Sequence, residues 1–311
     1  MEELKKKDLY NQGYRFVGSH SAVKLCMWAK RALVSDDFCY KQQFYGINSH
    51  RCVQMTPSLN VCGNRCVWCW RDIEFTLPKW KGPVDKPKGI IDGCIKEQVR
   101  YLQGFRGNKK TNKDKFIEAQ MPLHFAISLS GEPTFYPKLP ELIKELKRRK
   151  ITSFLVTNGT NPSMLKKLLK NQPTQLYITL PAPDEETYIK CCSPLIKDGW
   201  KKINESLSIL KKFKRSTIRL TLVKNVNMIK PEKYAELIKK AKPRFLECKS
   251  YMWVGHSKQR LELKNMPLHG EIKEFAKEIG KHSGYKIVDE KENSRVVLMM
   301  KNINKDRKLR F

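Results

Sequence analysis

Long apolar runs are absent. No uninterrupted stretch approaches the roughly 18–20 residues that span a bilayer, and the opening MEELKKKDLY has no apolar core behind its charges. The sequence therefore carries neither a membrane span nor a secretory signal, and a soluble, cytoplasmic protein is expected. An internal repeat and a long low-complexity linker are also missing, so 311 residues make one large domain or two small ones. With 40% hydrophobic residues the chain can fill a core, which excludes a disordered tail protein or a disulfide-stapled miniature.

Acidic residues are scarce: 31 Asp and Glu face 62 Lys and Arg, a formal net charge of +31. Such a surplus repels itself, and a polyanionic partner whose counterions are released on binding offsets it. Nucleic acid is the leading candidate. A lysine-rich composition tolerated on solvated faces is the plain alternative, and an anionic membrane surface comes third because no basic amphipathic segment with a Trp/Leu face stands out.

From about residue 51, short apolar runs alternate with longer amphipathic ones, the pattern of a parallel α/β fold. Strands are predicted over 51–59, 123–129, 153–157, 175–180, 217–223 and 244–251. Helices are predicted at KLPELIKELKRRK, SMLKKLLKNQ and PEKYAELIKKAK, among others. Six strand–helix units can curl into a partial barrel or lie open, and in both cases the site sits at the C-terminal ends of the strands. Residues 1–50 break the alternation and read as an N-terminal extension containing the amphipathic HSAVKLCMWAKRALVS. Residues 51–300 form the α/β body, and 301–311 a basic tail. GNKKTNKDK is a polar basic insertion.

Ten cysteines without a secretory signal point to metal or redox chemistry in a reducing compartment. Six of them, Cys26, Cys39, Cys52, Cys62, Cys66 and Cys69, fall within 44 residues; Cys94, Cys191, Cys192 and Cys248 read as packing residues. Cys62, Cys66 and Cys69 form C-x3-C-x2-C directly after the first predicted strand. Three thiolates can hold three corners of a four-iron cube and leave one iron open. A Cys3His zinc site and three unligated loop thiols are the other readings, though the second C-x2-C pair usual for structural zinc is absent.

The spacing, with Trp68 before the last cysteine, resembles the signature of the radical S-adenosylmethionine (SAM) superfamily, which implies a partial (β/α)6 barrel, a 4Fe-4S cluster and SAM. Two further segments match in order. Ser130, Gly131, Glu132 and Pro133 resemble the motif that meets the SAM amino group, and Thr157 with Asn158 stands where the ribose or carboxylate is held. Judged alone, the first is an ordinary strand-to-helix turn and the second an Asn-Gly turn.

Cys26, Cys39 and Cys52 are spaced by 13 residues each. Taken with MWVGHSKQRL and NMPLHGEI, this arrangement resembles the archaeal tRNA 4-demethylwyosine synthase family. The resemblance implies two 4Fe-4S clusters, the second on Cys26, Cys39 and Cys52. It implies condensation of N1-methylguanosine 37 of tRNA-Phe with a two-carbon unit of pyruvate, releasing carbon dioxide. Lys41 becomes a candidate to form a Schiff base with the keto group or to pair with the carboxylate. A separate flavodoxin or ferredoxin is the expected electron donor, and a monomer the expected state. His256, Ser257, Lys258, Gln259 and Arg260 are candidates for RNA or substrate contact, and Lys109, Lys110, Lys113 and Lys115 for part of the tRNA footprint. The competing readings are a radical SAM enzyme acting on a protein or small molecule, and a non-catalytic metal-stabilised RNA-binding protein.

Overall fold

The computed structural model of the protein describes residues 3–303 and 305–311. Among the described residues ten strands form one sheet: β1 (Arg15–Val17), β2 (Ser21–Val23), β3 (Cys52–Thr56), β4 (His124–Ile127), β5 (Thr152–Thr157), β6 (Gln175–Thr179), β7 (Ser216–Leu222), β8 (Phe245–Ser250), β9 (Lys286–Lys291) and β10 (Val296–Met300). Their order is β1-β2-β3-β4-β5-β6-β7-β8-β10-β9, and neighbours from β3 to β8 are parallel. Those six are the strands predicted from the apolar runs. Helices follow them in alternation, including Pro87–Leu102, Leu139–Arg148, Pro162–Leu168, Gly199–Leu210, Pro231–Ala241 and His269–Ser283. The sheet is not closed: β1 and β9 end it, which makes the fold a partial (β/α)6 barrel with antiparallel additions at both edges.

Side chains alternate across the strands. One face of the sheet, with Met55, Phe125, Leu155, Ile178, Leu220 and Leu246, packs under the helices in the main core. The other face carries Phe154, Tyr177, Phe245 and Leu298, and against it lies the short helix Tyr40–Tyr45. This helix plugs the barrel interior with Tyr40, Phe44 and Tyr45, and it carries Lys41 inward with them. Gly46, at φ +76°, ends it in the left-handed conformation that glycine adopts freely.

Two expectations change. The segment written as one amphipathic run, HSAVKLCMWAKRALVS, splits into strand β2 and the helix Met27–Val34, and β2 pairs antiparallel with β3 (Ala22↔Thr56, Val23↔Met55). The extension thus continues the sheet instead of only resting on it; three-residue strands are too short to show a period. The basic tail also has fixed partners. Leu309 N–H donates to the Tyr45 carbonyl at 2.8 Å, the Arg215 guanidinium donates to the Arg307 carbonyl at 2.8 Å, and the Phe311 ring meets His124 edge-on at 4.7 Å. These residues cover the end of the barrel at which the parallel strands start. In the basic insertion, Asn112 caps a helix over Lys113–Ala119 by accepting from Lys115 N–H.

Candidate functional site

The loop after β3 carries Cys62, Cys66 and Cys69, and backbone bonds to two neighbouring segments and within the loop shape it. Cys62 N–H donates to the Leu77 carbonyl, Arg65 and Val67 N–H donate to the Cys192 and Cys191 carbonyls, and Cys69 N–H turns back to Cys66. The segment after β4 is locked onto the same loop: Thr56 Oγ1 donates to the Ser130 carbonyl (2.5 Å), Ser130 Oγ to the Leu59 carbonyl (3.1 Å), and Glu132 N–H to the Val61 carbonyl (2.7 Å). Gly131 sits at φ +67°, and a Cβ there would stand 1.7 Å from the Ser58 carbonyl oxygen, so only glycine permits this approach.

Glu132 joins the next strand to this assembly. Its buried Oε1 accepts from Thr157 Oγ1 at 2.6 Å and from both Thr134 N–H and Oγ1, and its Oε2 accepts from Asn158 N–H at 2.7 Å. Burial pushes the carboxyl above the usual glutamate range while these donors pull it back. Asn158 Nδ2 in turn reaches Cys62 Sγ at 3.6 Å. Three segments far apart in sequence therefore converge at the C-terminal ends of β3, β4 and β5, as the motif order implied. Trp68 packs, half-buried, beside Val223, Tyr251 and Leu261. Pro133 starts the short turn after Glu132 and is buried.

Arg260 and Ser257, named from the sequence as candidates for RNA or substrate contact, have partners inside the protein, whereas Arg71 escaped the sequence reading. Arg260 clamps the cysteine loop: its guanidinium donates to the Val67 carbonyl at 3.2 Å and to the Cys69 carbonyl. Ser257 is fully buried and bonds Tyr251 and the Val254 carbonyl. Arg260 thus braces the cysteine loop, and Ser257 the segment from which Arg260 reaches it. Arg71 lies in the loop's return, 7% exposed, with its guanidinium near the sulfurs of Cys69 and Cys62. Nothing in the spacing of charged residues distinguishes it from the other arginines.

The second cysteine set meets inside the barrel. Cys26 and Cys39 lie near Cys52, and Lys41 lies near both Cys39 and Cys52. Burial pushes the Cys39 thiol up to about 11 and the Cys52 thiol up to about 12. Lys41 is 8% exposed, its Nζ 5.2 Å from the Phe154 ring centre and 5.1 Å from that of Tyr177. Burial, then the neighbouring Arg219 guanidinium, lowers its pKa and favours the neutral amine. Arg219 is itself held by Glu247 (Nε to Oε2, 3.0 Å) and by the Tyr40 hydroxyl (2.6 Å), and Tyr45 donates to Glu247 Oε1 at 2.7 Å. This Arg–Glu–Tyr network lies on the inner face and was not foreseen.

Among the described residues no three Cys, His, Asp or Glu side chains gather closely enough to grip a single metal ion. A four-iron cube spreads its thiolates over separate corners, and the chemistry of the donor sets suits it: three sulfurs each, one set beside a buried cation and the other beside a lysine. Cys66 Sγ points at Cys192 Sγ, 3.6 Å away. Cys94, Cys191, Cys192 and Cys248 are buried, as packing residues should be.

Comparison with known proteins follows the same lines. Residues 56–238 match the radical SAM superfamily and residues 240–301 the family described as wyosine base formation. The S-adenosyl-L-methionine-dependent tRNA 4-demethylwyosine synthase of Pyrococcus abyssi is 50% identical over 296 residues, covering 94% of this chain and 86% of the relative. That of Methanocaldococcus jannaschii is 41% identical over 309 residues, covering 97% and 96%. A structure of TYW1 with a lysine-pyruvate adduct bound superposes with a TM-score of 0.90 at 40% identity, covering 99% of both chains. A crystal structure of archaeal TYW1 gives 0.82 at 36% identity, covering 99% of this chain and 100% of the other. The chain belongs to the S-adenosyl-L-methionine-dependent tRNA 4-demethylwyosine synthase family of the radical SAM superfamily.

Proposed function

We propose that this chain builds the tricyclic base of 4-demethylwyosine on tRNA, condensing N1-methylguanosine 37 of tRNA-Phe with a two-carbon unit of pyruvate. The observation that carries the finer reading is the meeting of Lys41 with Cys39 and Cys52 inside the barrel whose rim carries the SAM motifs. The related structure with a lysine-pyruvate adduct supports it.

When bound to Cys62, Cys66 and Cys69, a 4Fe-4S cluster supplies the electron that cleaves SAM to methionine and a 5'-deoxyadenosyl radical. The residues around it position SAM and keep water out. Ser130 and Gly131 bring backbone against the cysteine loop, Glu132 fixes Thr157 and Asn158, and Asn158 reaches Cys62. Cys26, Cys39 and Cys52 are the residues that would hold a second cluster.

Lys41 is the nucleophile toward pyruvate. A neutral amine attacks the keto carbon, and loss of one water leaves a Schiff base between Nζ and that carbon. Burial against Phe154 and Tyr177, beside the Arg219 cation, lowers the amine's pKa and so raises the fraction able to attack. The base of the tRNA has to leave its stack to reach this interior, and the +31 charge draws the polyanion in. A separate flavodoxin or ferredoxin as reductant, a monomeric state and a cytoplasmic setting complete the proposal. Borohydride reduction in the presence of labelled pyruvate tests it: label on the peptide bearing Lys41, lost in Lys41→Arg, is expected. Label on another lysine, or none, removes Lys41 from the role.

A further inference from the structure

Arg71 is a buried cation that lies beside cysteine sulfurs and, among the described residues, has no carboxylate partner. Its side chain is 7% exposed, and one nitrogen, Nη2, donates to Thr76 Oγ1 at 3.3 Å. The guanidinium lies near the Cys69 and Cys62 sulfurs. Among the described residues no carboxylate comes within ion-pair distance of it. Asp72, next in the chain, is engaged by Lys5 at 2.6 Å, and the Glu132 carboxylate is taken up by Thr134, Thr157 and Asn158. The Tyr14 ring lies close by, its hydroxyl buried without a hydrogen-bond partner.

A guanidinium removed from water without a counter-charge is costly. Here the available counter-charge is a set of thiolates, which cysteines become when they bind iron. Reduction of a cluster held by three thiolates adds one more negative charge, and hydrogen bonds and cations at the sulfurs favour the reduced form. We infer that Arg71 is a positioning residue for the SAM-binding cluster, a buried counter-ion and sulfur hydrogen-bond donor that raises its reduction potential. The inference rests on the cluster assignment to Cys62, Cys66 and Cys69, and is independent of Lys41 and pyruvate.

A purely structural role would work through Thr76, which Arg71 ties to the loop. The two roles separate in redox titrations of the anaerobically reconstituted protein, following the electron paramagnetic resonance signal that changes on adding SAM. At the parent's midpoint, Arg71→Gln should shift the reduced-to-oxidised ratio about tenfold toward oxidised, about 59 mV for a one-electron couple. Arg71→Lys, which keeps the charge, should recover most of that shift, and Thr76→Val should leave the potential unchanged. A parent-like potential in an iron-replete Arg71→Gln protein overturns the inference, as does a Thr76→Val shift equal to that of Arg71→Gln. The parent itself gives a second readout. Protein grown with 15N-arginine should show a nitrogen coupling to the reduced SAM cluster that disappears in Arg71→Lys. Should Arg71→Gln fail to retain iron, absence of that coupling in the labelled parent refutes the assignment.

Discussion

Replacing Glu132 with Gln keeps the shape of the side chain that ties three motif segments together and removes its charge. The carboxylate accepts three hydrogen bonds on Oε1, from Thr134 N–H, Thr134 Oγ1 and Thr157 Oγ1, and one on Oε2, from Asn158 N–H. An amide offers its oxygen on one side only. With that oxygen facing Thr134 and Thr157, the NH2 group confronts the Asn158 N–H, two donors with no acceptor between them. A charge-assisted hydrogen bond is worth about 1.5–3 kcal/mol, and leaving a donor unsatisfied costs about 1–3 kcal/mol. The amide escapes part of the desolvation that burdens the buried carboxylate. A net loss of about 2–4 kcal/mol lowers the melting temperature of a chain this long by about 3–6 °C. Scanning calorimetry of the metal-free protein measures it, with Thr134→Val as a milder control. The change also frees Asn158 from its anchor, and with it the contact to Cys62 Sγ at 3.6 Å. SAM binding to the reconstituted variant should therefore weaken by at least about tenfold, or about 1.4 kcal/mol. A melting temperature within about 1 °C of the parent, with SAM affinity intact, would show that Glu132 does not organise the site.

His124 should shape the acid limb of stability. Its Nδ1–H donates to Thr152 Oγ1 at 2.7 Å, Nε2 accepts from Asn48 N–H at 3.0 Å, and burial, with Arg51 and His50, lowers its pKa to about 3. The folded value lies below the unfolded one of about 6.5, so this contribution is present above pH 6.5 and is lost as pH falls toward 3, at up to about 1.4 kcal/mol per unit. Urea unfolding at pH 7 and pH 5 should show a smaller loss in His124→Gln than in the parent; equal losses exclude the role. Joint replacement of Cys26, Cys39 and Cys52 by Ala should abolish tricyclic product while SAM cleavage persists, and full product would make those cysteines structural. Affinity for tRNA should fall on the order of a hundredfold between about 50 and 200 mM salt, as released counterions recondense. Changing Lys109, Lys110, Lys113 and Lys115 to Glu should weaken it further, whereas a flat salt response would remove the electrostatic argument for RNA.

The six parallel strands were readable because each is a short apolar run bounded by turn residues, and the convergence of segments 62–69, 130–133 and 157–158 because each lies at or after the end of β3, β4 or β5. The antiparallel edges were not. β1 and β2 have three residues each, and β9 is a half-exposed charged strand, KIVDEK, that no alternation marks. Cys26, Cys39 and Cys52 were legible by spacing, but their placement beside Lys41 depends on the helix Tyr40–Tyr45 entering the barrel. Six residues are too few to announce that insertion. Arg71 and Arg219 were invisible for another reason. In a chain with 62 Lys and Arg, only tertiary burial separates an interior cation from a solvated one.

The most direct test of the account is anaerobic incubation of the reduced, iron-loaded protein with SAM, uniformly 13C-labelled pyruvate and tRNA-Phe bearing N1-methylguanosine 37, followed by nucleoside mass spectrometry. The expected result is a tricyclic nucleoside carrying two labelled carbons, formed together with 5'-deoxyadenosine and absent with Lys41→Arg. Formation of 5'-deoxyadenosine with the methylated guanosine left unchanged, or a tricycle without label, would contradict it.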